Sequence, residues 1–164
     1  MINFTLTVLL LSCVVVNSYA ECQDPFIQIG ESCYYFSDLL LSYQEARKYC
    51  RSLSANHRAD LAVFDQIDCD YHHVFSHMHQ YELYNTYWIG GTDQEVDGFW
   101  IWVDGRPIDL KASYWSKDEP AVSDTNNCLV MFSRSEIVTR IRLEDLTCSY
   151  PHYFLCQLDV LSVI

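Results

Sequence analysis

Between Asp118 and Cys128 the chain reads DEPAVSDTNNC: Asp118, Glu119 and Asp124 are acids, Asn126 and Asn127 amides, with Pro120 among them. Carboxylate and carboxamide oxygens are what a hard cation takes, roughly six to eight of them for Ca²⁺. Such a loop can hold a cation and a polar ligand, or it can be a solvated turn. A second candidate is the run from Tyr71 to His79, which carries four histidines. With Cys69, His73 and His77 fall at i, i+4 and i+8, a stripe of transition-metal donors on one helical face. An exposed, pH-sensitive helix face is the plainer reading of the same residues. Trp88, Trp100, Trp102 and Trp115 have the rings to stack on sugars. The first three sit in strand-like runs that suit a core, whereas Trp115 borders the acidic loop. Glu119 and Glu144 could in principle pair as acid and base. No nucleophile elbow, HExxH or phosphate loop accompanies them, so no enzyme is expected.

These groups need a scaffold, and the hydrophobic pattern supplies one. FIQIG and CYYF read as short strands. Ser42-Tyr-Gln-Glu45 is a capping box, after which Ala46, Tyr49, Cys50 and Leu53 recur at helical spacing. LAVF (61–64) predicts a buried strand, and Asp65 can cap a second helix from Gln66 to about Tyr81. Beyond it, TYWIGGTD, FWIWVDG, NCLVMF, RIRLEDLTC and HYFLCQL are aromatic or β-branched runs separated by turn residues. A helical first half and a strand-rich second half predict an α+β fold in one domain.

Residues 1–20, MINFTLTVLLLSCVVVNSYA, hold no charged side chain, an apolar run from Thr7 to Val16, and small residues Ser18 and Ala20. They read as a signal peptide followed by a secreted domain over residues 21–164, with an uncleaved anchor as the alternative. No later apolar run is long enough to hold the chain in a membrane. All ten Lys and Arg and all twenty-two Asp and Glu lie beyond residue 20, so the formal charge of −12 belongs to the mature domain. That charge excludes nucleic acid and anionic membrane as partners, because both would repel it. Seven cysteines remain after residue 20: Cys22, Cys33, Cys50, Cys69, Cys128, Cys148 and Cys156. In a secreted chain this density reads as a disulfide framework with one thiol left over. Spacing alone does not fix the pairs, although the short Cys22–Cys33 interval looks like a closed hairpin. By elimination the leftover thiol is Cys69, either a buried inert group or a bridge to a second copy.

From Cys22 to about Gln157 the chain resembles the C-type lectin-like domain in its long form. CQDPFIQIGESCYYF is similar to that family's opening hairpin, and the capped helix with Cys50 to its first helix. Tyr87-Trp-Ile-Gly-Gly91 stands where the family has a WIGL core motif. FWIWVDGRPI with Tyr114-Trp115 resembles the strand and long-loop start, and HYFLCQ the final strand. The resemblance implies disulfides Cys22–Cys33, Cys50–Cys156 and Cys128–Cys148. It also implies a Ca²⁺ in the long loop with sugar hydroxyls on the ion. Glu119-Pro120-Ala121 stands for the family's EPN, Asn126 for the acid two residues before the next cysteine, and Leu143-Glu144-Asp145 for WND. The implied metal ligands are thus Glu119, Asn126, Glu144 and Asp145, and the implied sugar contacts are Glu119, Asn126, Glu144 and Trp115. Three carboxylates and one amide keep the family's charge at the site, with an acid and an amide exchanged between Asn126 and Glu144. Ala121 removes one ligand, which water or Asp124 could replace, and one donor to a sugar hydroxyl. Counting forward along the loop puts Asn127 in place of Asn126. The family's loop shape calls for a cis Glu119–Pro120 bond. The expectation is therefore a secreted lectin that recognises glycans or glycoproteins with calcium, in microbial or host-surface recognition of the innate-immune kind. A calcium-independent protein- or surface-binding module on the same fold is the alternative.

Overall fold

The computed structural model describes residues 22–55, 58–64, 69–121, 125–132 and 142–158. The signal-peptide segment, the Asp65 helix cap and Asp124 lie outside them. Strands β1 (Ile27–Ile29) and β2 (Ser32–Phe36) form the opening hairpin, followed by helix α1 (Tyr43–Ser52) and strand β3 (Ala59–Leu61). Helix α2 (Cys69–Gln80) leads to β4 (Thr86–Thr92), β5 (Ile101–Trp102), β6 (Cys128–Phe132), β7 (Arg142–Leu146) and β8 (Tyr153–Leu158). The α+β expectation holds. Strand order is β1-β2-β8-β4-β6-β7, with β3 beside β8 and β5 beside β4. Among the paired strands of the described residues β4 and β8 run parallel and the others antiparallel.

The α1 cap is the one the sequence announces. The Ser42 backbone N–H and hydroxyl both donate to Glu45 Oε2, at 3.1 and 2.6 Å. These bonds hold the Glu45 carboxyl below its ordinary range. Two boundaries differ from expectation. The third strand is Ala59–Leu61 rather than residues 61–64. Ala62 to Phe64 are buried as the apolar run required, but their backbone joins other partners: Ala62 N–H donates to Leu155 O at 2.8 Å and Val63 N–H to Gln157 Oε1 at 3.0 Å. The FWIWVDG run yields only a two-residue strand, because Gly105 (φ +94°) turns the chain back and Trp102 N–H reaches Arg106 O at 2.8 Å.

Side chains alternate between two cores along every central strand, as a pleated sheet covered on both faces requires. Tyr87 and Ile89, Leu129 and Met131, and Leu155 join Tyr71, Val74 and Met78 of α2 on one face. Trp88, Val130, Phe154 and Cys156 join Tyr43, Ala46 and Cys50 of α1 on the other. Trp88 is fully buried, edge-on to Tyr43 at 5.8 Å, with Nε1–H donating to Leu41 O at 3.0 Å. Gly90 and Gly91 allow close approach in the centre of β4: a Cβ at Gly90 would lie 2.9 Å from Leu61 O, and one at Gly91 2.8 Å from Leu129 Cβ. Three disulfides join Cys22 to Cys33, Cys50 to Cys156 and Cys128 to Cys148, with Cα separations of 5.7, 5.4 and 5.2 Å. The second fastens α1 to β8, and the third fixes the exit of β7 against the start of β6.

Candidate functional site

The acidic loop is fastened to β7 before it reaches the carboxylates. Leu143 N–H donates to Tyr114 O and Ser116 N–H to Leu143 O, both at 3.0 Å. Arg142 Nη1 donates to the carbonyls of Ser113 and Trp115, at 3.0 and 3.2 Å. Glu119 N–H then closes a turn on Ser116 O at 3.2 Å, Asp118 takes a positive φ of 69°, and the Glu119–Pro120 bond is cis. The result sets Ala121 N–H between two acids, donating to Asp145 Oδ1 at 2.7 Å and to Glu119 Oε2 at 2.9 Å.

Asp145 is 2% exposed, and its second oxygen, Oδ2, is buried without a hydrogen-bond partner. A buried carboxylate oxygen with no donor carries a desolvation cost that a cation or proton would offset. The strain appears on its neighbour. The Glu119 carboxyl is pushed up to about 7, first by burial and then by the adjacent Asp145 carboxylate. The Ala121 N–H opposes the shift, and Glu144 adds the smallest contribution.

Glu144 is peripheral for a geometric reason. Leu143 faces the α2 core and Leu146 packs against the α1 core, so Asp145 lies on the face of Leu143 and Glu144 on the opposite one. Two of the three expected carboxylates therefore meet, and the third flanks them from across the strand. Among the described residues no group of three or more His, Cys, Asp or Glu side chains is gathered in a way that could hold a metal ion. What is present still fits one hard cation: a carboxylate pair, an orphaned oxygen, and neutral oxygens from backbone or water to complete the shell.

Asn126 and Asn127 separate into different jobs. Asn126 Oδ1 accepts a hydrogen bond from the Thr147 hydroxyl at 2.9 Å. Asn127 Nδ2 donates to Asp93 Oδ1 at 3.1 Å, and its carbonyl accepts from Thr92 Oγ1 at 2.7 Å. Asp93 Oδ2 in turn takes Gly98 N–H at 2.9 Å, so Asn127 belongs to a lock at the end of β4. Sequence reasoning missed both this lock and the Thr147 contact. The signals were short polar residues beside the cysteines that bracket β6 and β7.

Trp115, expected as a sugar platform, is instead core. It is 6% exposed, lies edge-on to Trp100 at 6.0 Å, and donates Nε1–H to Asp109 O at 3.0 Å. Among the described residues His73 and His77 are not gathered with other donors into a metal site. His77 stacks on Phe36 (5.5 Å) and meets Tyr81 at a tilt (4.5 Å), and burial lowers its pKa. The Cys69 side chain lies outside the described residues. Among those residues no helix is long and apolar enough to cross a membrane.

A family model described as "Lectin C-type domain" matches residues 40–158. Human "C-type lectin domain family 17, member A" is 27% identical over 136 residues, covering 83% of this chain but 32% of that protein. Perlucin of Haliotis laevigata is 30% identical over 142 residues, covering 83% of this chain and 82% of its own length. Among solved structures, C-type lectin CEL-I from Cucumaria echinata superposes with a TM-score of 0.70 at 20% identity, covering 84% of this chain and 97% of that one. Herring type II antifreeze protein does so at 0.66 and 22%, covering 85% and 99%. At such identities the likeness shows a common fold alone.

Proposed function

The chain belongs to the C-type lectin family, and from that premise we propose that it is a secreted, calcium-assisted glycan-binding protein and not an enzyme. The observation that carries this reading is the Ala121 N–H held between Glu119 and Asp145, with Asp145 Oδ2 buried and unsatisfied beside it. A bound calcium ion would supply a positive centre for sugar hydroxyls at that place. Glu119 and Asp145 would hold it, with Glu144 contributing charge from the rim. Their carboxylates also accept from hydroxyls, and Asn126 adds an amide donor. Ala121 provides no side-chain donor, so one hydroxyl contact of the family's usual clamp is lost. Residues 1–20 are read as a signal peptide removed before secretion, and Cys69 as the thiol of a disulfide-linked dimer. The setting is recognition of microbial or host-surface sugars.

Calorimetric titration with Ca²⁺, followed by a glycan panel with and without chelator, tests the reading. Heat of binding and chelator-sensitive retention of at least one glycan are expected; an absence of both would sink it. A dimer that collapses to monomer on a reducing gel is expected for Cys69.

One observation favours a second reading, a calcium-independent protein- or surface-binding module. Glu144 and Asp145 leave β7 on opposite faces, so three ligands do not gather before an ion arrives. Partner binding unchanged by chelator would select this reading.

A further inference from the structure

One register step beyond the Cys128–Leu146 pair, where the β6–β7 ladder ends, the Thr147 hydroxyl donates to Asn126 Oδ1 at 2.9 Å. The backbone there is well held. Cys148 is disulfide-bonded to Cys128, and its carbonyl accepts Tyr43 N–H from the start of α1 at 3.0 Å. A carboxamide carries its acceptor and its two donors on opposite ends. Fixing Oδ1 on Thr147 therefore turns Nδ2 away from β7. Among the described residues Nδ2 has no protein partner, and Asn126 is half-exposed, so its donors are open to a ligand. Glu119 and Asp145 are acceptors only when ionised, which leaves Asn126 as a source of donors that they lack.

We propose that Thr147 is a positioning residue that converts Asn126 from an ion ligand into a hydrogen-bond donor to the bound ligand. The ion is then held without the Asn126 oxygen, and the ligand must present an acceptor oxygen, such as a sugar hydroxyl or ring oxygen, to Nδ2. This inference rests on the lectin reading for the identity of the ligand, but not for the orientation of the carboxamide.

The test uses the full mature chain, isotopically labelled for NMR and titrated with Ca²⁺ alone. The Glu119 and Asp145 carboxyl carbons are expected to shift while the Asn126 carboxamide carbon stays in place. An Asn126 carbon that moves with the carboxylates overturns the proposal. Addition of a glycan retained by the wild-type chain is expected to shift the Asn126 Nδ2 protons. In Thr147→Val those side-chain amide signals should move even without ligand, and glycan retention should fall about tenfold, the loss of one oriented hydrogen bond. Calcium affinity should not fall. Thr147→Ser should restore wild-type behaviour. Unmoved amide signals in Thr147→Val, or full glycan retention, overturn the proposal. If the wild-type chain binds neither calcium nor glycan, the lectin reading fails, and the Thr147→Val amide signals alone decide the orientation.

Discussion

Glu144 and Asp145 are adjacent in sequence yet leave β7 on opposite faces, one above the α1 core and the other buried beneath the acidic loop. Their roles toward a cation must therefore differ. Asp145 meets Glu119 through the Ala121 amide, whereas Glu144 acts on Glu119 by its charge. Asp145→Ala is expected to abolish calcium uptake in calorimetry, and Glu144→Gln to weaken it by no more than about tenfold, in keeping with a screened rim charge. Equal losses in the two variants would refute the division.

The raised Glu119 pKa gives a pH signature with two opposite signs. Without calcium, the folded chain holds a proton on Glu119 up to about 7 that the unfolded chain releases near the ordinary carboxylate value. The folded state binds more protons in that window, so this contribution to stability is present in acid and fades as pH climbs through about 7. Calcium needs the ionised carboxyl, so its affinity should rise over the same window, by up to about tenfold per pH unit below it. Thermal melts at several pH values, with calcium and with chelator, check both limbs. Parallel limbs would show that Glu119 is not where the ion sits.

Ala121 removes the side-chain amide at the point where the acidic loop turns over Asp145, while its backbone N–H continues to bridge the two acids. Ala121→Asn leaves that backbone bridge available and adds a donor facing the ligand. Calcium-dependent glycan retention should increase about tenfold, the scale of one hydrogen bond to a desolvated hydroxyl. No gain on a panel that already retains the wild-type chain would show that the missing donor does not limit binding.

The fold was legible because each of its levels repeats a local rule. Ser42 and Glu45 cap α1 as their spacing requires, and the aromatic runs become strands with the cystines between them. The site was legible only in part. Charge and oxygen content located Glu119 and Asp145, but the face on which each side chain emerges depends on the register of β6 against β7. Sequence adjacency grouped Glu144 with Asp145, and the pleat separates them. Trp115 was misjudged for a related reason: the loop it borders folds back along β7, and its own carbonyl receives Arg142 there while the ring turns into the α2 core. The Asn126–Thr147 contact joins positions 21 residues apart, and no local pattern encodes it.

Disulfide removal separates scaffold from site. In the chain-entropy model the cost grows with the logarithm of the loop closed, so Cys50–Cys156, spanning 106 residues, stands well apart from Cys22–Cys33, spanning 11. Replacing the first pair by alanine should cost roughly 5 kcal/mol and the second roughly 3. The larger loss should exceed the entropic figure, since Cys50 and Cys156 are fully buried in the α1 core and their sulfur atoms leave a cavity. Cys22 and Cys33 are only partly buried, so no such addition applies there. Neither pair touches Glu119 or Asp145. Calcium affinity in the Cys22→Ala/Cys33→Ala chain should therefore match the wild type once denaturant titration has shown it folded. A calcium defect in that folded variant would mean that the opening hairpin, across the sheet from β7, sets the loop's shape; unchanged affinity shows that the site does not depend on the hairpin cystine.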